Sequence, residues 1–170
     1  MLFICTTLWH EEDNEMEQLL NSLVRLCVDN REKKLESKEK CKLNKKQDFY
    51  NIEIHIFFDN VFEKKEQFKQ LNKWVGSFCE ILRSLLYFYE LDESELNFEI
   101  LSAPYGGRFE MTVADVPFFV HLKDVEFTQN GKRWSQVMYM YYLIGYRMKN
   151  CHQHAPSTQS SCRHRGNSLP

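Results

Sequence analysis

The sequence of 170 residues lacks several features that would assign it to a class at once. Its six cysteines form no Cys-x-x-Cys pair, no Asp-x-Asp element occurs, and the net charge is only -2. No apolar run approaches the roughly 20 residues needed to span a bilayer, and the N-terminus has no basic region followed by an apolar one. We therefore expect reduced thiols in a cytosolic setting, no nucleic-acid partner and no membrane span within this chain.

What the sequence does contain is an alternation of strand and helix patterns. Its 43% hydrophobic and 14% aromatic content fits a globular domain with one core. Leu2 to Thr7 is a β-prone run, and the acidic cluster after it opens a helix whose apolar stripe extends from Met16 to Cys27. Ile52 to Phe58 predicts a second strand, and Phe62 to Tyr89 has the spacing of one long helix. This order predicts an α/β fold with a mostly parallel sheet flanked by helices.

Three short strands and a helix are predicted after residue 90. The strands are Asn97 to Leu101, Arg108 to Val113 and Phe118 to Leu122, and the helix is Trp134 to Met148. The turn before the second of these strands contains Gly106 and Gly107, which permit a positive φ. Residues 1–148 are therefore expected to be the N-terminal portion of one domain.

Two segments depart from this pattern. Residues 31–48 are basic and lose the apolar periodicity, so we interpret them as an insertion that forms a solvated linker or an exposed helix; contact with an anionic lipid or polymer is the alternative. Residues 149–170 contain almost no large apolar residue and are expected to be a disordered, aberrant tail that arises from truncation, intron read-through or a shifted frame. Their cysteines and histidines do not have the spacing of zinc ligands.

Three strings carry a resemblance to a known family. They are CTTLWHEEDNEMEQLL from Cys5, IEIHIFFDN from Ile52 and GKRWSQVMYMYYLIGYR from Gly131. Together they resemble the front part of the catalytic domain of animal-type chitin synthases, over about Leu2 to Met148. The resemblance implies an incomplete nucleotide-sugar transferase fold of the GT-A-like type. It also implies a parent reaction that transfers N-acetylglucosamine from UDP-N-acetylglucosamine to growing β-1,4-linked chitin by inversion.

The resemblance implies a set of residues that bind UDP. Glu11 would accept from ribose hydroxyls, and Asp59 would contact the uridine at the end of its strand. Basic side chains opening a helix suit a diphosphate. From the residues alone, Glu11 could instead oppose a helix dipole and Asp59 could open a turn. The family usually has two acidic residues where this chain has Asp59 and then Asn. The full predicted UDP-binding set is Thr6, Glu11, Asp59, Lys132 and Arg133.

Two apparent motifs are rejected. His10 and Glu11 begin a zinc-protease pattern, but Asn14 stands where the second histidine is needed, so we expect His10 to be a local hydrogen-bonding residue. The stretch from Gln129 to Trp134 is one residue too long for the Gln-x-x-Arg-Trp motif of processive synthases.

The missing motifs limit what this chain can do by itself. The parent enzyme would use Mg²⁺ or Mn²⁺ and a carboxylate base, and the ligands and base are absent from this sequence. We expect a plasma-membrane parent, active on the cytoplasmic face and held there by segments not present here, with a possible homo-oligomeric assembly. The alternative is a catalytically inactive truncated product that acts as an interaction or regulatory piece. A hyaluronan-synthase-like transferase is a third possibility.

Overall fold

A computed structural model describes residues 1–40, 50–65, 68–142 and 145. The chain divides into two compact units, Met1–Ser135 and Gln136–Pro170. The elements, in chain order, are β1 (Leu2–Leu8), α1 (Asp13–Lys40), β2 (Ile52–Phe58), β3 (Phe62–Lys65), β4 (Phe68–Leu71), α2 (Lys73–Phe88), a 3₁₀ turn (Glu93–Glu95), β5 (Leu101–Ala103), β6 (Gly106–Val113), β7 (Val116–Lys123) and α3 (Lys132–Met140). Among the described residues, no helix is long and apolar enough to cross a membrane.

The first unit is built around a five-stranded sheet with the order β1-β2-β7-β6-β5. β1 is parallel to β2, and β2 is parallel to β7. β6 is antiparallel to both β7 and β5, so β6 alone runs against the other four strands of this sheet. The predicted α/β class and mostly parallel sheet are therefore confirmed. Every residue of β2 is buried, as expected for a central parallel strand covered on both faces.

The main core lies between the sheet and the helices α1 and α2, which pack against each other. Apolar side chains at a spacing of three or four residues form the buried stripe of each helix. The helical members are Met16, Leu20, Leu23, Val24 and Cys27 from α1 and Val75, Phe78, Leu82, Leu85 and Leu86 from α2. The strand members include Ile54, Ile56, Phe109, Phe118 and Val120. The apolar stripe predicted for α1 is confirmed.

The helix α1 extends further than its apolar stripe does. It continues to Lys40, so residues 31–40 of the basic stretch are helical, and residues 41–49 lie outside the described residues. Of residues 31–37, whose side chains the structure describes, four are exposed and one is buried.

The prediction of one long helix from Phe62 to Tyr89 is wrong at its beginning. β3 and β4 form a two-stranded antiparallel sheet of their own, and the helix starts only at Lys73. Asn72 sets this start, because its side-chain oxygen accepts from the backbone N–H of Val75 at 3.1 Å. Its amide nitrogen also donates to the carbonyl of Asn60 at 2.8 Å, which ties the helix to the end of β2.

The predicted strand at Asn97 to Leu101 is largely wrong, since β5 begins at Leu101. The two following strands lie where they were predicted, each with added residues at its ends. The turn before β6 requires its glycine: Gly106 has φ +135°, and a Cβ there would lie 2.5 Å from the carbonyl oxygen of Leu122. The last predicted helix is described as α3 up to Met140, and the predicted tail at 149–170 lies outside the described residues.

Candidate functional site

The carboxyl ends of β1, β2 and β7 meet at one edge of the sheet. The backbone N–H of Asp59 donates to Leu8, the last residue of β1, at 2.8 Å. The N–H of Val61 donates to Lys123, the last residue of β7, at 3.2 Å. In open α/β sheets, ligands bind outside the carboxyl ends of the strands. This edge is therefore the candidate site.

Asp59 lies at the centre of this edge and is 4% exposed. Its Oδ1 accepts from the ammonium of Lys123, and its Oδ2 accepts from the backbone N–H of Gly131 at 3.1 Å. Lys123 also donates to the hydroxyl of Ser135 at 3.0 Å, and both of these side chains are fully buried. We call Asp59, Lys123, Gly131 and Ser135 the edge cluster. It joins the ends of β2 and β7 to the beginning of α3.

The two predicted basic residues occupy the first positions of α3. Lys132 and Arg133 directly follow Gly131, and both are exposed. The backbone N–H groups of a helix's first turn have no partner within the helix, so they add donors to these two positive charges. Lys132 and Arg133 therefore directly follow Gly131, whose backbone N–H contacts Asp59.

A cleft of about 480 Å³ opens beside the end of β1. The first residues of α1 and of α2 both contribute to its wall, so two helix N-termini line it. Three carboxylates and one lysine give it a mixed charge. The lining residues are His10, Glu11, Glu12, Asp13, Asn14, Lys73, Trp74 and Ser77.

Glu11 lines this cleft, whereas Thr6 lies within a strand. The carboxylate of Glu11 accepts from the backbone N–H of Trp9 through Oε2. A carboxylate has about four acceptor positions, so this bond leaves capacity for ligand hydroxyls. Thr6 is half-buried in β1, opposite Ile56 and two residues before the strand ends.

The ring of His10 lies in an aromatic stack beside the cleft. It is stacked on Trp74 with centroids 3.8 Å apart and on Trp9 with centroids 5.0 Å apart. The ammonium of Lys73 lies 4.7 Å from the ring centroid of Trp74. The Nε2 atom of His10 is buried and makes no hydrogen bond to any described residue. The expectation that His10 is a local hydrogen-bonding residue is therefore wrong for this atom, and stacking holds the ring.

A second buried polar group lies on β2, β7 and the turn before β6. Glu53 Oε1 lies 2.9 Å from His55 Nε2, and His55 Nδ1 lies 3.0 Å from His121 Nε2. The hydroxyl of Tyr105 lies 2.5 Å from His121 Nδ1. We call these four residues the histidine ladder. One proton order satisfies each bond with both histidines neutral: Tyr105 donates to His121, His121 donates to His55, and His55 donates to Glu53.

The surroundings of the ladder keep His121 neutral. Burial lowers the pKa of His121 from 6.5 to about 3, and the positive charges of His55, when protonated, and Arg108 act in the same direction. Phe57 stacks on the ring of His121, with centroids 4.2 Å apart, and Phe119 stacks on that of His55. The sequence showed Glu53 and His55 only as the polar positions of an alternating strand.

A charged network covers the turn after β7. Lys69 donates to Asp124 at 2.6 Å and also pairs with Glu126, which in turn pairs with Lys64. The two lysines lower the pKa of the Glu126 carboxyl to about 2, and the hydrogen bonds from Lys69 raise its own pKa. Asp124 is 3% exposed, whereas Lys64 and Glu126 are exposed. The network connects β3 and β4 to the segment that leads to α3.

The described cysteines are not nucleophiles. All three of them are free thiols, and burial raises the pKa of Cys5 and Cys27 to about 12 and that of Cys79 to about 11. A thiol with such a pKa stays protonated at neutral pH, and the thiolate is the reactive form. Among the described residues, no group of three or more His, Cys, Asp or Glu side chains could hold a metal ion.

Sequence reasoning missed three residues that shape this edge. Lys123 lies just outside a predicted strand, and Ser135 and Trp74 lie within predicted helices that assign them no role. A lysine directly after a buried strand at the carboxyl edge was the one signal available for Lys123. Nothing in the sequence indicates that Ser135 lies against it, because that contact depends on the path of the chain after β7.

Comparison with known proteins gives relatives of one kind. The chain is 37% identical over 153 residues to chitin synthase chs-1 of Caenorhabditis elegans and 33% identical over 150 residues to chitin synthase chs-2 of the same organism. It is 31% identical over 163 residues to the chitin synthase of Meloidogyne artiellia. Each match includes 86% of this chain but only 11%, 9% and 8% of the respective relative. No family model and no solved structure matches.

Proposed function

Because the chain is homologous to part of the animal-type chitin synthases, we propose that it forms the donor-nucleotide part of a chitin-synthase-type glycosyltransferase. The parent reaction is the transfer of N-acetylglucosamine from UDP-N-acetylglucosamine to a growing chitin oligomer. The 37% identity over 153 residues to a chitin synthase is the observation that carries this proposal. The chain spans about a tenth of the length of that relative, so the reaction belongs to the longer protein.

The geometry of the sheet edge supports roles for the predicted residues. The uridine lies along the carboxyl ends of β1 and β2, next to Thr6, with Glu11 and Asp59 accepting from its hydroxyl and imide donors. Lys132, Arg133 and the first N–H groups of α3 bind the diphosphate. Two helix N-termini at the cleft add donors for an anionic or hydroxyl-rich ligand.

The remaining chemistry lies outside these residues. A divalent cation such as Mg²⁺ or Mn²⁺ neutralises the leaving diphosphate in transfers of this kind. The sequence has no Asp-x-Asp element, and the residues in the described ranges offer no metal-binding group. We therefore assign the metal ligands, the base and the membrane association at the plasma membrane to other parts of the parent protein.

Titration calorimetry of the full chain with UDP tests the binding role. We expect Glu11→Gln to weaken binding by about tenfold, because it removes a charged acceptor of ribose hydroxyls. Glu12→Gln is the matched control, since it removes the same charge from the neighbouring residue of the same cleft. Equal affinities for the two variants would contradict the role of Glu11, and no binding by the folded chain would contradict the proposed function.

A synthesis assay tests whether transfer needs parts of the parent protein outside this chain. The purified chain, given UDP-N-acetylglucosamine and Mg²⁺, should form no polymer, because it supplies neither the metal ligands nor the base. The longer protein, assayed in membranes under the same conditions, is the positive control. Polymer formation by the chain alone would show that the residues of this segment suffice for transfer.

A further inference from the structure

The carboxylate of Asp59 is enclosed. It is 4% exposed, and each of its oxygens already accepts a hydrogen bond, one from Lys123 and one from the N–H of Gly131. The proposed function needs this carboxylate to meet a uridine. A ligand can reach it only if one of the groups around it moves away.

The beginning of α3 is the part of the enclosure that lies outside the sheet. Lys123 is the last residue of β7, and its strand is paired on both sides in the middle of the sheet. Gly131 and Ser135 instead follow a connecting segment, and their side of the edge cluster consists of one backbone N–H and one hydroxyl. Gly131 has φ +108°, and no atom lies within 4 Å of the position that a Cβ would take. No neighbouring atom therefore packs against this side of Gly131.

We propose that the first turn of α3, Gly131–Ser135, is a latch that covers Asp59 in the free protein and opens when the UDP donor binds. The proposal rests on the proposed function, in which Lys132 and Arg133 of this turn bind the diphosphate; they do so with the latch in its open position. When the latch opens, a uridine donor replaces the Gly131 N–H at Oδ2 of Asp59, and the ion pair with Lys123 remains. The hydroxyl of Ser135 then separates from Lys123, whose ammonium bonds to water instead.

The free energy of opening the latch stays small enough for ligand binding to supply, because Asp59 exchanges one hydrogen-bond donor for another. Asp59 keeps two hydrogen bonds in both states, since one donor takes the place of another. The bond between Lys123 and Ser135 is the one that is lost, and it is present only in the closed state. A ligand that bonds to Asp59 only in the open state shifts the equilibrium toward that state.

Ser135→Ala tests the latch by weakening the closed state alone. We expect the affinity for UDP, measured by calorimetry on the full chain, to rise by up to about tenfold, because a hydrogen bond to a charged group no longer opposes opening. Ser84→Ala is the matched control, since its hydroxyl bonds to the carbonyl of Glu80 on the exposed side of α2. The control should bind UDP as the unchanged chain does.

Hydrogen exchange at the Gly131 amide gives a second readout. The amide should be protected in the free chain, and both saturating UDP and Ser135→Ala should accelerate its exchange. If UDP binds but leaves the Gly131 amide protected, and Ser135→Ala leaves the affinity unchanged, the latch is wrong while the proposed function stands. If the unchanged chain and the Ser135→Ala variant are both folded and neither binds UDP, the proposed function is wrong and the latch is wrong with it.

Discussion

The edge cluster and the histidine ladder both contain buried polar side chains, but they are built differently. The edge cluster contains a formal ion pair, and its members are the residue after β2, the last residue of β7 and the segment that begins α3. The ladder lies on neighbouring strands and the turn at Tyr105, and burial keeps its His121 neutral. The stability contributed by a buried ion pair depends on both partners being present. The stability of a fold that buries a neutral histidine depends on the pH.

Because of this difference, we expect the edge cluster and the histidine ladder to differ in their roles as well as in their contributions to stability. The edge cluster lies where the ends of β2 and β7 meet the N-terminus of α3, and we propose that a ligand exchanges partners with its charges there. The ladder lies along the strands, and Phe57 and Phe119 stack on its rings. The ladder therefore belongs to the sheet itself, while the edge cluster is the part that we propose a donor nucleotide changes.

The largest effect is expected from removing one charge of the edge cluster. Lys123→Met leaves the carboxylate of Asp59 buried without its cation, which should lower the free energy of unfolding by about 3 to 5 kcal/mol. Denaturation in urea measures this change. The double variant Asp59→Asn with Lys123→Met is the control, since it removes both charges and should recover much of the loss. A double variant as unstable as the single one would mean that the charges do not compensate each other.

An intermediate effect is expected from acidifying the ladder. The pKa of His121 is lowered from 6.5 to about 3 in the folded chain, so below pH 6.5 the unfolded chain binds a proton that the folded chain excludes. Stability is therefore complete above pH 6.5 and falls as the pH is lowered toward 3. At pH 5.5 the loss from this group is about 1.4 kcal/mol.

Urea denaturation at pH 7.5 and 5.5 measures this dependence. His121→Gln keeps polar atoms in the ladder but removes the titrating ring, so its stability should change less between the two pH values. An unchanged pH dependence in that variant would assign the acid sensitivity to other groups.

The smallest effect is expected from the exposed network. Lys64→Ala removes an ion pair whose lysine is 73% exposed, and solvent and salt screen such pairs strongly. The denaturation midpoint should not change measurably at 0.15 M salt. A large loss would show that the network holds β3 and β4 in place despite its exposure.

Part of this architecture can be predicted from the sequence because it rests on local patterns. The strands β1 and β2, the apolar stripes of the helices and the position of Asp59 at the end of a strand all follow from hydrophobic periodicity. The periodicity gave a wrong prediction where pairing between two strands changed the local structure. The pattern that continued the helix back to Phe62 was overridden because β3 pairs with β4 and Asn72 caps α2 at its actual beginning.

The sequence by itself determined the α/β class, the core residues of α1 and α2, and the family to which the chain is related, because each depends on residue types at short and regular spacing. Only the tertiary structure decided that Asp59 meets Lys123, Gly131 and Ser135, and that Glu53, His55, His121 and Tyr105 form one chain of hydrogen bonds. Lys123 lies 64 residues from Asp59 along the chain. Which polar groups meet across such a separation depends on strand order and register, and these are set by how the whole core packs.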